Sequence, residues 1–331
     1  MIDLSQLPAP AVVEALDYET IFSERKAALL ALLPEDTRSS VAEVLALESE
    51  PLTKLLQEGA YRELLLRQRV NEAAKASLLA YAQGTDLDNR AADYGVTRLL
   101  ITPADLEAVP PVAAVYESDS RLRYRCQMAL EGLAVAGSRG AYHYHALSAH
   151  AQIADASIDS PTFDLVEVST DLRAQLPAGA IVLVCTYIAG LDSPLPGDVT
   201  VTVLPQSNAT LTSQALVELT QSALSADEVR PLTDRPRVLA GKPTDYEVNA
   251  VLELEDGPDH EVVVASATAR LNDAIAAARK LGGLMSRSAI FAALHISGVH
   301  NVRLTAPAQD VATDLRHFPN CTAVMISKTL A

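Results

Sequence analysis

Residues 117–155 read ESDSRLRYRCQMALEGLAVAGSRGAYHYHALSAHAQIAD, and residues 84–98, shortly before them, read GTDLDNRAADYGVTR. The spacing of apolar residues in both stretches is typical of short helices joined by tight turns. Asp86 and Ser118 stand where a helix N-cap is expected, and Ser138, after a glycine, is placed to begin another helix. These stretches therefore predict three helices in succession. By itself, this pattern indicates no function.

The composition is that of a folded, acidic protein. The chain has 331 residues, 49% of them hydrophobic, and a formal net charge of −16. Its length favours two or three domains, and its charge argues against a nucleic-acid or anionic-membrane partner, because phosphate binding needs clustered Lys and Arg. The sequence has no signal pattern and no apolar run that could cross a bilayer, so we expect no membrane segment and synthesis in a cytoplasm. The three widely spaced cysteines suit a reducing compartment.

The N-terminal region, residues 1–97, is predicted to be helical. Pro34 ends a first helix, Ser39 is expected to begin a capping box, and Pro51 permits a fresh start. Beyond Pro51, apolar and small residues, Gly59 among them, recur at a spacing close to a heptad along one side. A second set of apolar residues follows another side of the same segment.

A helix that is apolar on two sides needs more than one neighbour. This segment therefore either packs within its own domain or contributes to a helical bundle between chains. The candidate interface residues are Leu52, Leu55, Leu56, Leu64, Leu66 and Val70.

The remainder of the chain predicts an α+β fold, so the whole is expected to be a helical bundle segment followed by two small α/β sandwich domains. Residues 98–117 are expected to be a linker, 118–206 a middle domain and 207–331 a C-terminal self-association domain. Within the middle domain, Ala180–Tyr187 is apolar on both faces, which predicts a central strand.

The C-terminal domain is predicted to order its elements as helix, strand, helix, helix and strand. This order predicts a two-layer sandwich that leaves a sheet edge or face free for a partner. The candidate surfaces are the strand at Val248–Leu254 and the helix at Ser286–His295. The alternative is that both elements pack into the core of their own domain.

The search for catalytic or metal-binding chemistry is mostly negative. His143, His145 and His150 are the best metal candidates, but residues two apart on a helix point to different sides, so packed or surface histidines are the better interpretation. Ser138 lies in a Gly-Ser-Arg-Gly turn without the spacing of a nucleophile elbow. Three alternating arginines, Arg121–Arg125, predict a salt-bridged helix surface. We therefore expect no enzyme activity, no cofactor and no metal.

Six tracts, taken in order, resemble the baseplate protein J family of contractile phage tails and related injection machines. Each tract is weak alone, but together they span more than half of the chain. The segment between Arg98 and Glu117 is short, where larger relatives insert a β-rich domain, so this chain resembles the compact form. The tracts are Leu87–Arg98, Arg121–Arg125, Ala136–Tyr142, Pro196–Leu204, Glu228–Asp234 and Leu281–Ser288.

The resemblance implies a structural subunit of a baseplate wedge. Copies of the chain would join a second wedge protein through a helical bundle and would meet one another through their C-terminal domains. The resulting ring would surround the hub, contact hub and sheath-adaptor proteins, and couple receptor engagement to sheath contraction. Such a subunit would be made in the bacterial cytoplasm and end in the tail of a virion or bacteriocin particle. Two alternatives are the equivalent subunit of a type VI secretion machine and, in a different class, a tail-associated hydrolase.

Overall fold

A computed structural model describes residues 4–8, 10, 12–134, 137–255, 257 and 259–330 of the chain. The chain forms two compact units, one made of Met1–Arg98 with Ser118–Gln127 and the other of Leu99–Glu117 with Met128–Ala331. Both helices and small sheets are present, which confirms the predicted α+β class. None of the described helices is long and apolar enough to cross a membrane.

The first unit is helical. Asp17 caps its first helix by accepting a hydrogen bond from the Thr20 N–H at 3.1 Å, and proline stands at the first position of its longest helix. The helices are α1 (Tyr18–Leu32), α2 (Glu35–Leu45), α3 (Pro51–Ala76), α4 (Gly84–Ala92) and α5 (Asp119–Met128), whose last residue belongs to the second unit.

Two predicted helix starts in this unit are wrong. Ser39 lies inside α2, because Pro34 stops α1 and the carboxylates of the next two residues favour an immediate new helix N-terminus. Asp86 lies in the first turn of α4, which begins two residues earlier at Gly84. Ser118 does accept a hydrogen bond from the Arg121 N–H, as predicted for the cap of α5.

The described residues of the second unit form two three-stranded sheets and three two-stranded ribbons. Its first three-stranded sheet has the order β3 (Ile153–Asp159), β6 (Asp198–Pro205) and β7 (Arg235–Ala240), with β3–β6 antiparallel and β6–β7 parallel. Helices α6 (Arg139–Ala149) and α8 (Ser213–Leu224) pack against this sheet, and Ser138 caps α6 as predicted.

The ribbons pair short strands in antiparallel fashion. One of them, within the predicted linker, joins β1 (Leu100–Thr102) to β2 (Val115–Tyr116). Another joins β4 (Thr162–Leu165) to β5 (Leu183–Tyr187), and α7 (Thr170–Gln175) lies between these two strands along the chain.

The second three-stranded sheet has the order β10 (Val299–Ala306), β8 (Lys242–Leu254) and β12 (His317–Leu330). β8 runs antiparallel to β10 and parallel to β12. Helices α9 (His260–Ala278) and α10 (Arg287–Leu294) cover one face of this sheet and enclose an apolar core. The third ribbon joins β9 (Leu284–Met285) to β11 (Val311–Ala312).

Two elements cross the predicted boundary at residue 206. α8 and β7 were expected in the C-terminal domain, yet β7 is a strand of the sheet that β3 and β6 form, and α8 packs against that sheet. Leu204, Leu281 and Phe318 form a further buried cluster, which ties β6 to the ends of α9 and β12. The four-part division remains a prediction about which segments fold independently.

The prediction of a central strand at Ala180–Tyr187 is wrong. Only Leu183–Tyr187 is a strand, β4 is its one partner among the described strands, and its side chains are mostly exposed. Apolar residues on both faces show that both faces of a strand can be buried. They do not show that the same chain supplies the covering elements.

The long strand β12 was not predicted. A register shift between Cys321 and Ala323 interrupts its pairing with β8. Because a bulge adds one residue to one strand, the core-facing side chains follow as Cys321, Val324 and Ile326. This spacing hides the alternation by which a strand is recognised.

Leu252→Ala should lower the free energy of unfolding by about 2–5 kcal/mol, because the side chain is fully buried and leaves a cavity. Its neighbour Val251 points to the uncovered face of the sheet, so Val251→Ala is the matched control and should cost about 1 kcal/mol or less. Urea denaturation of both variants measures the difference, and equal losses would contradict the assigned faces.

Candidate interaction surface on helix α3

Helix α3 is the longest helix of the first unit, with 26 residues. At 1.5 Å per residue it extends about 39 Å. Helix α1 packs along one side of it, where Ile21, Phe22 and Ala60 form a buried cluster. Leu56 and Leu64 lie against the same cluster and are partly buried. One of the two apolar sides of α3 is therefore covered within the chain.

Ion pairs border this covered side. Glu63 lies 2.7 Å from Arg67 on the same helix and 2.8 Å from Arg25 on α1. These two guanidinium groups, Arg67 first, hold the pKa of Glu63 below its usual range. Gly59 faces Arg25, since a Cβ at Gly59 would lie 2.9 Å from the Arg25 Nη1. This glycine therefore leaves room for the α1 arginine.

The other apolar side of α3 is open to solvent. The exposed fractions are 37% for Leu52, 65% for Leu55, 69% for Leu66 and 54% for Val70. We call these four residues the α3 stripe. Four large apolar side chains in line on one helix, without a covering element in the described part of the unit, are unusual for an isolated surface.

A groove widens the α3 stripe at its C-terminal end. The N-terminal segment runs beside α3 because Asn71 accepts the Glu14 N–H at 3.1 Å and donates to the Glu14 carbonyl at 2.9 Å. The groove between them has a volume of about 370 Å³, and Leu66, Val70 and Ala73 supply its apolar wall. Glu14 thus lies at the border of the stripe.

The six candidate interface residues fall into two groups. Leu56 and Leu64 contact the α1 cluster, whereas the other four form the α3 stripe. Sequence reasoning missed Tyr61 and Leu65, which are also exposed. Three consecutive leucines, Leu64 to Leu66, were the available signal, since neighbours on a helix point to different sides and one element cannot cover all three.

A second set of polar residues in this unit has a structural role. Arg98 lies 2.7 Å from Asp88 and 2.8 Å from Asp119, and the Asp119 carboxylate accepts the Gly84 N–H at 3.0 Å. This network fastens the start of α4 to the start of α5. The hydrogen bond from Gly84, followed by the pair with Arg98, lowers the pKa of Asp119.

Two of the three alternating arginines of α5 donate hydrogen bonds to backbone carbonyls. Arg123 donates to the carbonyls of Leu79 and Ala82 at 2.7 and 2.5 Å. Arg125 is buried and donates to the Thr97 carbonyl at 3.1 Å. Carbonyls at turns lack partners within a helix, so the guanidinium groups satisfy backbone atoms and bind the helices together.

Acid should weaken this unit through Asp119. A carboxyl whose pKa is lowered on folding contributes stability that is present above its unfolded pKa of about 3.9 and is lost as the pH falls through the folded value. Wild-type stability measured by urea denaturation should therefore fall between about pH 4.5 and 2.5 more steeply than that of Asp119→Asn. Parallel pH profiles for the two proteins would contradict this role.

The residues singled out for chemistry are held apart by separate partners. His145 Nε2 lies 3.2 Å from the Gly132 carbonyl oxygen, His143 Nε2 lies 3.6 Å from Asp155, and His150 Nδ1 accepts the Gln152 N–H at 3.1 Å. Among the described residues, no three His, Cys, Asp or Glu side chains are close enough to hold a metal ion. Burial lowers the pKa of His145, which favours a neutral packed ring.

The Gly-Ser-Arg-Gly turn and the helix that follows it contact Asp234 in the second unit. Tyr142 donates from its hydroxyl to the Asp234 carboxylate at 2.9 Å, and burial together with this bond raises the pKa of Tyr142. A Cβ at Gly137, whose φ is +72°, would lie 2.6 Å from the same carboxylate. Gly137 and Tyr142 therefore pack against Asp234, a residue that is distant from them in sequence.

Purified protein should contain far less than one metal ion per chain, because the histidines engage separate partners. Elemental analysis should show this, and a chelator should leave the melting temperature unchanged. A stoichiometric zinc content that disappears in His143→Ala with His145→Ala would contradict the prediction.

Comparisons with known proteins converge on one family. Residues 48–105 match the family described as the Baseplate J-like N-terminal domain, a segment that includes all of α3. The chain is 45% identical over 322 residues to a protein of Escherichia phage P2 named "Baseplate protein J", with 97% of this chain and 96% of the phage protein covered.

Proposed function

Because the chain belongs to the baseplate protein J family and is a structural component of a tail baseplate, we propose that it is a wedge subunit that assembles through the α3 stripe. The partner is a second wedge protein that supplies one or more helices to a shared bundle. The observation that carries this proposal is the exposure of Leu52, Leu55, Leu66 and Val70 on a helix whose other apolar side is already covered.

The free energy of burial supports this use of the stripe. Burying one leucine or valine side chain contributes about 1.5–3 kcal/mol, so a helix laid along four of them would gain a large part of the energy of a specific interface. The groove beside Leu66, Val70 and Ala73 gives the partner side chains a concave seat. Helix-in-groove association uses anchors at this kind of spacing.

Replacement of two stripe residues tests this interface. Leu55→Asp with Leu66→Asp should abolish co-purification with the partner wedge protein and incorporation into particles, because each change would bury an unpaired carboxylate at the interface. Circular dichroism should remain that of the wild type, since both side chains are exposed.

Leu32→Asp with Leu47→Asp is the matched control. Both leucines are exposed in the same unit but lie outside the α3 stripe. This control should assemble normally, as judged by electron microscopy of particles. Normal assembly by the stripe variant would exclude the α3 stripe as the interface.

In the assembled tail, we propose that copies of the chain also meet through their C-terminal parts. A closed ring needs at least one interface beyond the one that builds each repeating wedge. The candidate surfaces predicted from the sequence were the strand at Val248–Leu254 and the helix at Ser286–His295. Their apolar side chains are buried in the core of this unit, among them Val248, Leu252, Ile290 and Leu294. A self-association surface must therefore use other residues of the same sheet and helices.

The ring would contact hub and sheath-adaptor proteins. It would switch between two conformational states and so couple receptor engagement to sheath contraction. Packed interfaces that exchange one arrangement for another supply such a switch without any bond being made or broken by the subunit. The subunit would be made in the bacterial cytoplasm and end in the tail. A phage protein as relative favours a phage tail over a type VI secretion machine.

A further inference from the structure

We propose that two copies of this chain associate edge to edge, with β12 of one copy antiparallel to β12 of the other. This inference rests on the proposed self-association of the C-terminal part and assigns it a location. The observation that supports this proposal is that β12 is a long strand with one free edge. No other strand in the described part of the chain pairs with that edge. β12 has 14 residues and is hydrogen-bonded as a strand to β8 only.

The two edges of the same sheet differ in how they are protected. β10, at one edge, has register shifts on both sides of its centre and carries Arg303, which is paired with Glu253. Irregular register and charged side chains are the usual means by which an edge strand avoids pairing with another chain. β10 is therefore a protected edge.

β12, at the other edge, lacks these features over residues 323–329. Its register shift lies earlier, between Cys321 and Ala323, and from there to its end the pairing with β8 is regular. Its one charge in this stretch, Lys328, is paired with Glu261 of α9 and so lies on the helix side of the sheet. The outward row of N–H and C=O groups is left open, which is a template for another extended strand.

The side chains of this stretch favour a second copy as the occupant. With Ile326 at a two-fold axis, Met325 would stand opposite Ser327 of the other copy and Val324 opposite Lys328. These pairs are compatible across antiparallel strands, because the only charged member, Lys328, faces an apolar side chain and no like charges meet. Met325 is 54% exposed on the uncovered face, so the contact would also bury apolar surface.

The resulting sheet would have six strands, in the order β10-β8-β12-β12-β8-β10. Antiparallel pairing about a two-fold axis uses the same surface on both copies, as closed symmetric interfaces require. Because β12 lies at the edge of the sheet, this pairing leaves the core between β8, α9 and α10 unchanged.

Charge reversal tests this pairing in the full-length chain. One variant carries Met325→Lys and Ser327→Lys, and the other carries Met325→Glu and Ser327→Glu. Each should raise the dissociation constant of the dimer by about 100-fold or more, because like charges would face each other across the axis. An equimolar mixture of the two should restore the dimer, because opposite charges then face each other. Sedimentation equilibrium over a concentration series measures all three.

Asn301→Lys with Thr305→Lys is the matched control, since both residues are exposed and the changes place the same charges at the protected β10 edge. It should dimerise like the wild type, and circular dichroism should show that every variant is folded. A wild-type chain that stays monomeric at hundreds of micromolar would overturn the proposal. So would a doubly basic variant that dimerises like the wild type, or folded variants whose mixture does not recover.

These outcomes are separate from those that test the wedge assignment. Incorporation into particles depends on the α3 stripe and is measured by co-purification with the partner wedge protein. A chain that enters particles but never forms the β12 dimer would overturn this inference alone. A chain that dimerises through β12 but never enters particles would overturn the proposed function alone.

Discussion

The structure of the first unit depends on the burial of one side of α3 against α1. Ala60 is fully buried there, and its small side chain lets Ile21 and Phe22 of α1 approach closely. A single covering helix can bury only about one side of another helix. Once α1 is in place, the other apolar side of α3 is necessarily left exposed. The α3 stripe is thus a consequence of how the helices of this unit are arranged.

Polar contacts that resemble functional motifs mainly hold segments together. Arg98 joins α4 to α5 through Asp88 and Asp119, while Tyr142 and Asp234 join two tracts of the second unit. Buried or half-buried groups of this kind are costly to leave without partners, so they fix one arrangement of the backbone. A structural component of a large assembly depends on such fixed connections between its segments.

Much of the local structure was predictable from the sequence, and the exceptions have identifiable causes. Ser118 and Ser138 begin helices because a short polar side chain can satisfy free N–H groups at a helix start. Ser39 fails in the same role because Pro34 had already ended one helix and allowed the next to begin. β12 escaped prediction because its bulge shifts the alternation of core-facing side chains.

Periodicity and motif order can be read directly along the chain, and they were enough to predict that α3 is apolar on two sides, that the chain is an α+β protein, and to which family it belongs. Which apolar side is free depends on the packing of α1 against α3. Leu56 and Leu66 look alike in sequence, yet α1 contacts the first and leaves the second exposed. Likewise, only strand pairing shows that β12 lies at an edge while β8 lies at the centre. Burial depends on which neighbours arrive from distant parts of the chain, and no local pattern encodes that choice.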